Sequence, residues 1–111
     1  MRQGIGMKKF IMGWLRFKPG KRDAFIAASR EYIETCRAER GCEFFEFTLS
    51  PFEPDVAMVM ECFSSRETHE DVHLKTAHFE EFWKKLGGVC IDARFLNILS
   101  NTVTPDSAKF D

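Results

Sequence analysis

The chain lacks the features that mark several functional classes. No apolar run approaches the roughly 20 residues that span a bilayer, and Met1–Gly6 has no apolar stretch of the signal-peptide kind. There is no excess of basic charge: the formal net charge is -1, so electrostatics gives no reason to expect nucleic acid or a membrane surface as partner. Cysteines are few (Cys36, Cys42, Cys62 and Cys90), and no two form a C-x-x-C pair, which argues against a zinc ribbon or a redox couple. They are expected to be reduced, buried thiols in a cytoplasmic protein. Repeats, low-complexity tracts and linkers are also missing.

What is abundant is phenylalanine, with 12 copies in 111 residues, more than a minimal core needs. The length suits one domain with one core. Lys8 to Phe17 alternates as a strand does, with Phe10, Met12 and Trp14 on one face and Ile11, Leu15 and Phe17 on the other. From Lys21 to Glu39, Phe25, Ala28, Ser29, Tyr32, Ile33 and Cys36 recur at helical steps, and Gly41 supplies a stop. Cys42–Ser50 and Val56–Phe63 read as a hairpin around the prolines of Pro51–Asp55. Ser64 and Glu67 have capping-box spacing and open a short polar helix from about 65 to 74. Thr76 caps another to Leu86, with Phe79, Phe82, Trp83 and Leu86 as its apolar stripe. Ala93–Val103 is the last strand. Residues 1–6 are expected outside the fold, 7–103 form the domain, and 104–111 are a polar tail.

The order β-α-β-β-α-β with right-handed crossovers predicts an α+β, ferredoxin-like fold: an antiparallel four-stranded sheet with both helices on one face. Yet the strands carry large apolar residues on both faces: Trp14 and Leu15, Phe44 and Phe45, Val59 and Met60. Monomers rarely expose more than a few hundred Å² of contiguous apolar surface. At roughly 25 cal/mol per Å², covering the second face is strongly favourable, and a second copy is the simplest cover. A homodimer joined sheet to sheet is the expectation.

Three histidines and one acid stand out. His69-Glu70-Asp71-Val72-His73 matches H-E-x-x-H, in which two histidines bind zinc and the glutamate acts as base. Zinc hydrolases set that motif on a long, packed helix and add a third ligand. Here the helix is short and acidic, and spacing selects neither Cys90 nor Asp92 as that ligand, so no metal is expected. His73, next to Val72, is placed to look into the space between helix and sheet, while His78 lies in the first turn after the Thr76 cap. Glu61 interrupts an otherwise apolar strand, and a buried carboxylate is costly unless paired or protonated. Either it pairs with Arg16, Arg94 or a partner chain, or it orients His73.

Three segments then carry a resemblance. Arg40-Gly41-Cys42-Glu43-Phe44-Phe45, Met60-Glu61-Cys62-Phe63 and Val72-His73-Leu74-Lys75-Thr76-Ala77-His78-Phe79 resemble, in order and spacing, segments of the antibiotic-biosynthesis-monooxygenase family, including its quinol-oxidising members. The likeness runs from about Lys8 to Ser100. It departs where Ala77 replaces the family's proline and where Met60 and Phe63 flank Glu61. The resemblance implies a dimeric α+β barrel and a small aromatic, phenolic or quinol substrate oxidised by O₂ without metal, flavin or haem. It implies His73 as base or proton relay, Glu61 as its carboxylate, and Phe45, Phe63, His78, Phe79, Trp83 and Trp14 around the substrate. A further branch, which processes phosphorylated autoinducer sugars, resembles the Val72–His78 run. It implies an isomerase for a small phosphorylated carbonyl compound, with Lys75, Lys84, Lys85 and Arg16 as the available cations. A non-catalytic ligand-binding dimer is the third reading.

Overall fold

A computed structural model describes residues 7–101; the expectations for residues 1–6 and 104–111, and for residues 102–103 of the last strand, lie outside the described residues, while the strand itself ends at Ser100 and Asn101 bends away from it. The elements are β1 (Lys8–Phe17), α1 (Arg22–Arg37), β2 (Cys42–Leu49), β3 (Val56–Phe63), a short helical passage (Thr68–Lys75), α2 (Ala77–Leu86) and β4 (Cys90–Ser100). The sheet is antiparallel in the order β2-β3-β1-β4, with both helices on one side. This is the α+β, ferredoxin-like arrangement that the element order predicts.

Three local details differ from the sequence expectation. The last strand begins at Cys90, not Ala93, because a bulge at Arg16/Phe17 lets Phe17 pair with Cys90. The capping box sits one residue later than the Ser64/Glu67 spacing proposes. Ser65 Oγ accepts from the Thr68 amide (3.1 Å) and Thr68 Oγ1 accepts from the Ser65 amide (3.1 Å), so a threonine takes the place of the box's glutamate. The expected helix from 65 to 74 is not regular either: Thr68–Val72 widens into a π-type turn and His73–Lys75 tightens to a 3-10 turn. Such windings often occur where a helix must present side chains to a site. The Thr76 cap is as expected, its Oγ1 accepting from the Phe79 amide.

Strand alternation puts Ile11, Leu15, Phe17, Phe45, Ala57, Val59 and Phe63 under the helices, all nearly fully buried. Phe25, Tyr32 and Cys36 of α1 and Phe82 and Leu86 of α2 pack onto them. Tyr32 and Phe82 stack face to face at 3.9 Å, joining the two helices. The opposite sheet face keeps its apolar residues half-exposed or exposed: Phe10, Met12, Trp14, Phe44, Met58, Met60, Leu96 and Ile98. The helices also stop short of β4, whose Phe95 and Leu99 stay open on the helix side.

Candidate active site

The site begins with one row of residues across the sheet. Register aligns Phe45, Glu61, Ile11 and Asn97 from β2 to β4, and the next row is Phe47, Val59, Gly13 and Phe95. Gly13 is needed because a Cβ there would overlap the Phe95 ring and lie 2.7 Å from the Arg94 carbonyl oxygen. Freed of that side chain, the Phe95 ring lies across the sheet and meets the Trp83 edge (6.1 Å between centroids). Between this floor and the helices lies a cavity of about 210 Å³. Ile11, Leu15, Val59 and Glu61 line it from below, Tyr32, Phe79, Phe82 and Trp83 from above, and His69, His73 and Leu74 at one end. Phe95 and Asn97 form the rim on the uncovered β4 side.

His73 is buried to 1 % exposure. Its Nδ1 lies 3.0 Å from both carboxylate oxygens of Glu39. Its Nε2 lies 3.5 Å from the Tyr32 hydroxyl and 3.9 Å from Glu61. Burial lowers the His73 pKa below the ordinary histidine value, and Glu39 opposes that shift. The ring is therefore neutral near pH 7. The carboxylate at Nδ1 favours a proton there, which leaves an Nε2 lone pair beside Tyr32 and Glu61. Glu61 behaves in the opposite sense: burial, reinforced by Glu39, pushes its pKa up to about 8, with Lys9 opposing. At neutral pH it is mainly a carboxylic acid and a donor. No ion pair joins it to Arg16 or Arg94 among the described residues; Arg16 lies with Trp14 in a cleft bounded by Val56 and Asp92.

Glu39 is the residue that sequence reasoning missed as a site member. It lies just beyond α1, where Arg37 Nε donates to the Phe45 carbonyl and fixes the helix end against β2. Gly41, at φ +86°, then lets the chain pass Thr68 where a Cβ would lie 2.6 Å from the Thr68 side chain. Both contacts hold Glu39 under the 3-10 turn. There it also takes His78 Nε2 at 2.5 Å, so one carboxylate binds two imidazoles. A signal was present: Tyr32, Cys36 and Glu39 continue one helical stripe, and an acid extending a buried stripe is anomalous.

Among the other sequence-predicted residues, Phe79 and Trp83 line the cavity. Phe45 and Phe63 instead pack against the His73 ring, at 5.6 and 4.9 Å, and wall it in place. His78 is half-buried and faces a cleft between α1 and α2. Trp14 is on the opposite face of the sheet and does not reach the cavity, because its strand parity is that of Phe10 and Met12. His69 is buried against Phe63 and His73, and its Nδ1 has no partner. Burial drops its pKa to about 4. Glu70 turns outward to Lys9 (2.9 Å), so the H-E-x-x-H residues do not converge on one point. Lys75 and Lys84 pair with Asp71 and Glu80 on the surface, and the cavity lining contains neither lysine nor arginine.

A ferredoxin-like α+β domain with an aromatic cavity and a buried histidine–carboxylate pair defines the class. The family profile "antibiotic biosynthesis monooxygenase" matches residues 10–85, and the chain belongs to that family. An uncharacterized protein of Synechocystis is 33% identical over 75 residues, 68% of this chain and 50% of that protein. The chain thus spans about half the length of the curated relative it matches. Among solved structures, a protein of Nitrosomonas europaea described as a candidate antibiotic biosynthesis monooxygenase superposes with TM-score 0.79 at 20% identity, covering 90% of this chain and 94% of that one. A Bacteroides thetaiotaomicron protein described as a possible oxidoreductase gives 0.78 at 21%, covering 86% and 99%. At such identities the likeness establishes the fold. No helix among the described residues is long and apolar enough to cross a membrane.

Proposed function

We propose that the chain is a monooxygenase that oxidises a small aromatic, phenolic or quinol substrate with O₂, using no cofactor. The observation that carries this reading is the cavity: aromatic and aliphatic side chains surround a neutral histidine and a protonated carboxylic acid 3.9 Å apart. Roughly 150 Å³ of apolar cavity accommodates one benzene ring, so about 210 Å³ suits a substituted ring.

In this reading His73 Nε2 takes a proton from the substrate. Glu61, protonated, donates a hydrogen bond to the oxygen on which charge collects, as a neutral acid in an apolar site is suited to do. The carbanion gives its electron pair to O₂, forming a carbon–oxygen bond, and the terminal oxygen takes a proton. Loss of water from that hydroperoxide leaves a carbonyl: a CH₂ group and O₂ become C=O and H₂O. The dry cavity favours the electron-rich anion's encounter with O₂ over its reprotonation by solvent. Glu39 holds His73 Nδ1–H, and His78 connects Glu39 to the surface cleft, a route by which the abstracted proton reaches solvent.

The half-exposed sheet face supports a homodimer packed face to face, and four free thiols suit a reducing cytoplasm. The test of the function is O₂ uptake with a panel of quinols, naphthols and anthrones. The wild-type chain should consume O₂ with at least one class, and His73→Ala should lower the rate by about 10²–10⁴-fold. Equal rates in the two proteins would remove His73 as the base.

A further inference from the structure

We propose that the cluster behind His73 binds one borderline divalent transition-metal ion of the zinc class, through Cys36, Glu39, His73 and His78. One donor atom from each of these four side chains lies within 4.8 Å of every other. They come from separate parts of the fold: the last turn of α1, the residue after its cap, the 3-10 turn and the first turn of α2.

The donor set selects the metal. Calcium and magnesium take oxygen ligands, whereas two imidazoles, a thiol and one carboxylate suit zinc, cobalt or a similar ion. Zinc bonds of about 2.0–2.3 Å in a tetrahedron put neighbouring donors roughly 3.3–3.7 Å apart. The Glu39 oxygens already lie 3.0 Å from His73 Nδ1 and 2.5 Å from His78 Nε2, so small side-chain shifts would open the space. Charge points the same way. The Glu39 side chain is 6% exposed and pairs with imidazoles, and with no lysine or arginine among the described residues. The Cys36 thiol would give up its proton as the ion binds, since the thiolate is the ligating form. The resulting thiolate and carboxylate would then balance two positive charges.

Two further features fit. With Nδ1 on the metal, His73 carries its proton on Nε2, facing the Tyr32 hydroxyl and Glu61, the outer-sphere partners a ligating histidine needs. An entry path exists in the cleft of about 100 Å³ between the helices, which His78, Glu31 and Glu81 line. This set shares only His73 with the H-E-x-x-H motif, and it leaves out the motif's glutamate. Metal occupancy would remove the Nε2 lone pair from the cavity, so metal binding and base chemistry compete for one ring.

The experiment uses the full chain, reduced and stripped with a chelator, then titrated with Co²⁺ and followed by visible and near-ultraviolet absorption. The expected result is a single ion per chain with four-coordinate ligand-field bands and a thiolate-to-cobalt charge-transfer band, displaced by Zn²⁺. Cys36→Ser should abolish the charge-transfer band. His78→Ala, at a half-exposed position, should weaken binding by about 10-fold or more with circular dichroism unchanged. Glu70→Gln should alter neither. Folded chain that retains no cobalt, a charge-transfer band that survives Cys36→Ser, or binding lost in Glu70→Gln would each overturn the proposal. The readout is binding rather than turnover, so its failure is distinguishable from failure of the oxygenase reading.

Discussion

Replacing Glu39 by glutamine should move the proton on the His73 ring. In the wild-type chain the Glu39 carboxylate lies 3.0 Å from His73 Nδ1, where it can only accept, and so it favours the tautomer with the proton on Nδ1 and a free Nε2. A hydrogen bond to a charged acceptor contributes about 1.5–3 kcal/mol. That corresponds to a tautomer preference of about 10- to 160-fold at 1.36 kcal/mol per decade. Glutamine can turn its amide NH₂ toward Nδ1, which reverses the preference and leaves Nε2 protonated toward the cavity. The change is nearly isosteric and removes a buried charge, so folding stability should change little or even rise. The assay is ¹⁵N–¹H correlation of the imidazole nitrogens in metal-free protein, which distinguishes the tautomers without any substrate. Oxygen uptake on the same samples should fall by about 10²-fold or more. If His73 in Glu39→Gln keeps the Nδ1–H tautomer at wild-type population, Glu39 does not set the ring and the mechanism built on it is wrong.

Other outcomes follow from the same geometry. The Glu61 pKa, about 8 when folded against 4.5 as a free side chain, is raised by folding. Its stabilising contribution is therefore complete below about pH 4.5 and lost as pH rises through about 8; Glu61→Gln should flatten that part of the denaturation-midpoint profile in metal-free protein. Gly13→Ala drives a methyl group into the Phe95 ring and the Arg94 carbonyl, which should cost about 1–3 kcal/mol and lower Tm by about 4–8 °C per kcal/mol in a thermal melt. Gly41→Ala combines positive φ with a clash against Thr68 and should destabilise comparably, while displacing Glu39 and lowering the rate. If the chain forms the proposed face-to-face dimer, light scattering should report two copies for the wild type and one for Leu96→Lys, a substitution on the far face; a wild-type chain that is monomeric at micromolar concentration would contradict the two-faced-sheet argument.

The fold was legible because its signals are local and mutually consistent. Strict alternation in Lys8–Phe17, the Phe25–Cys36 stripe and the prolines of the hairpin each specify one element, and together they leave one compact arrangement. The inward turn of His73 was legible for the same reason: it stands beside Thr76, whose cap fixes where the next helix starts. What sequence did not disclose is the carboxylate that meets His73 Nδ1. Glu39 is 34 positions away, and its approach depends on Gly41 passing under Thr68, a tertiary contact with no periodic signature. Asn97 joins the cavity only through strand register, and Phe95 only because Gly13 opposite has no side chain. The resemblance implies Trp14 at the substrate, whereas the alternation of its own strand puts it on the other face. The Glu61 alternatives turned on its neighbours: it faces His73 and Glu39 rather than an arginine, and is held in its acid form.

The central claim is that a substrate oxygen or acidic carbon meets His73 Nε2 inside the aromatic cavity. A crystal structure of the chain with an unreactive naphthol or phenol, soaked under anaerobic conditions, tests it most directly. The account predicts the ring between Phe79, Trp83 and Val59, with its oxygen within hydrogen-bond distance of both His73 Nε2 and Glu61. A ring bound elsewhere, or a cavity closed by side chains with His73 Nε2 turned away from it, would contradict the account.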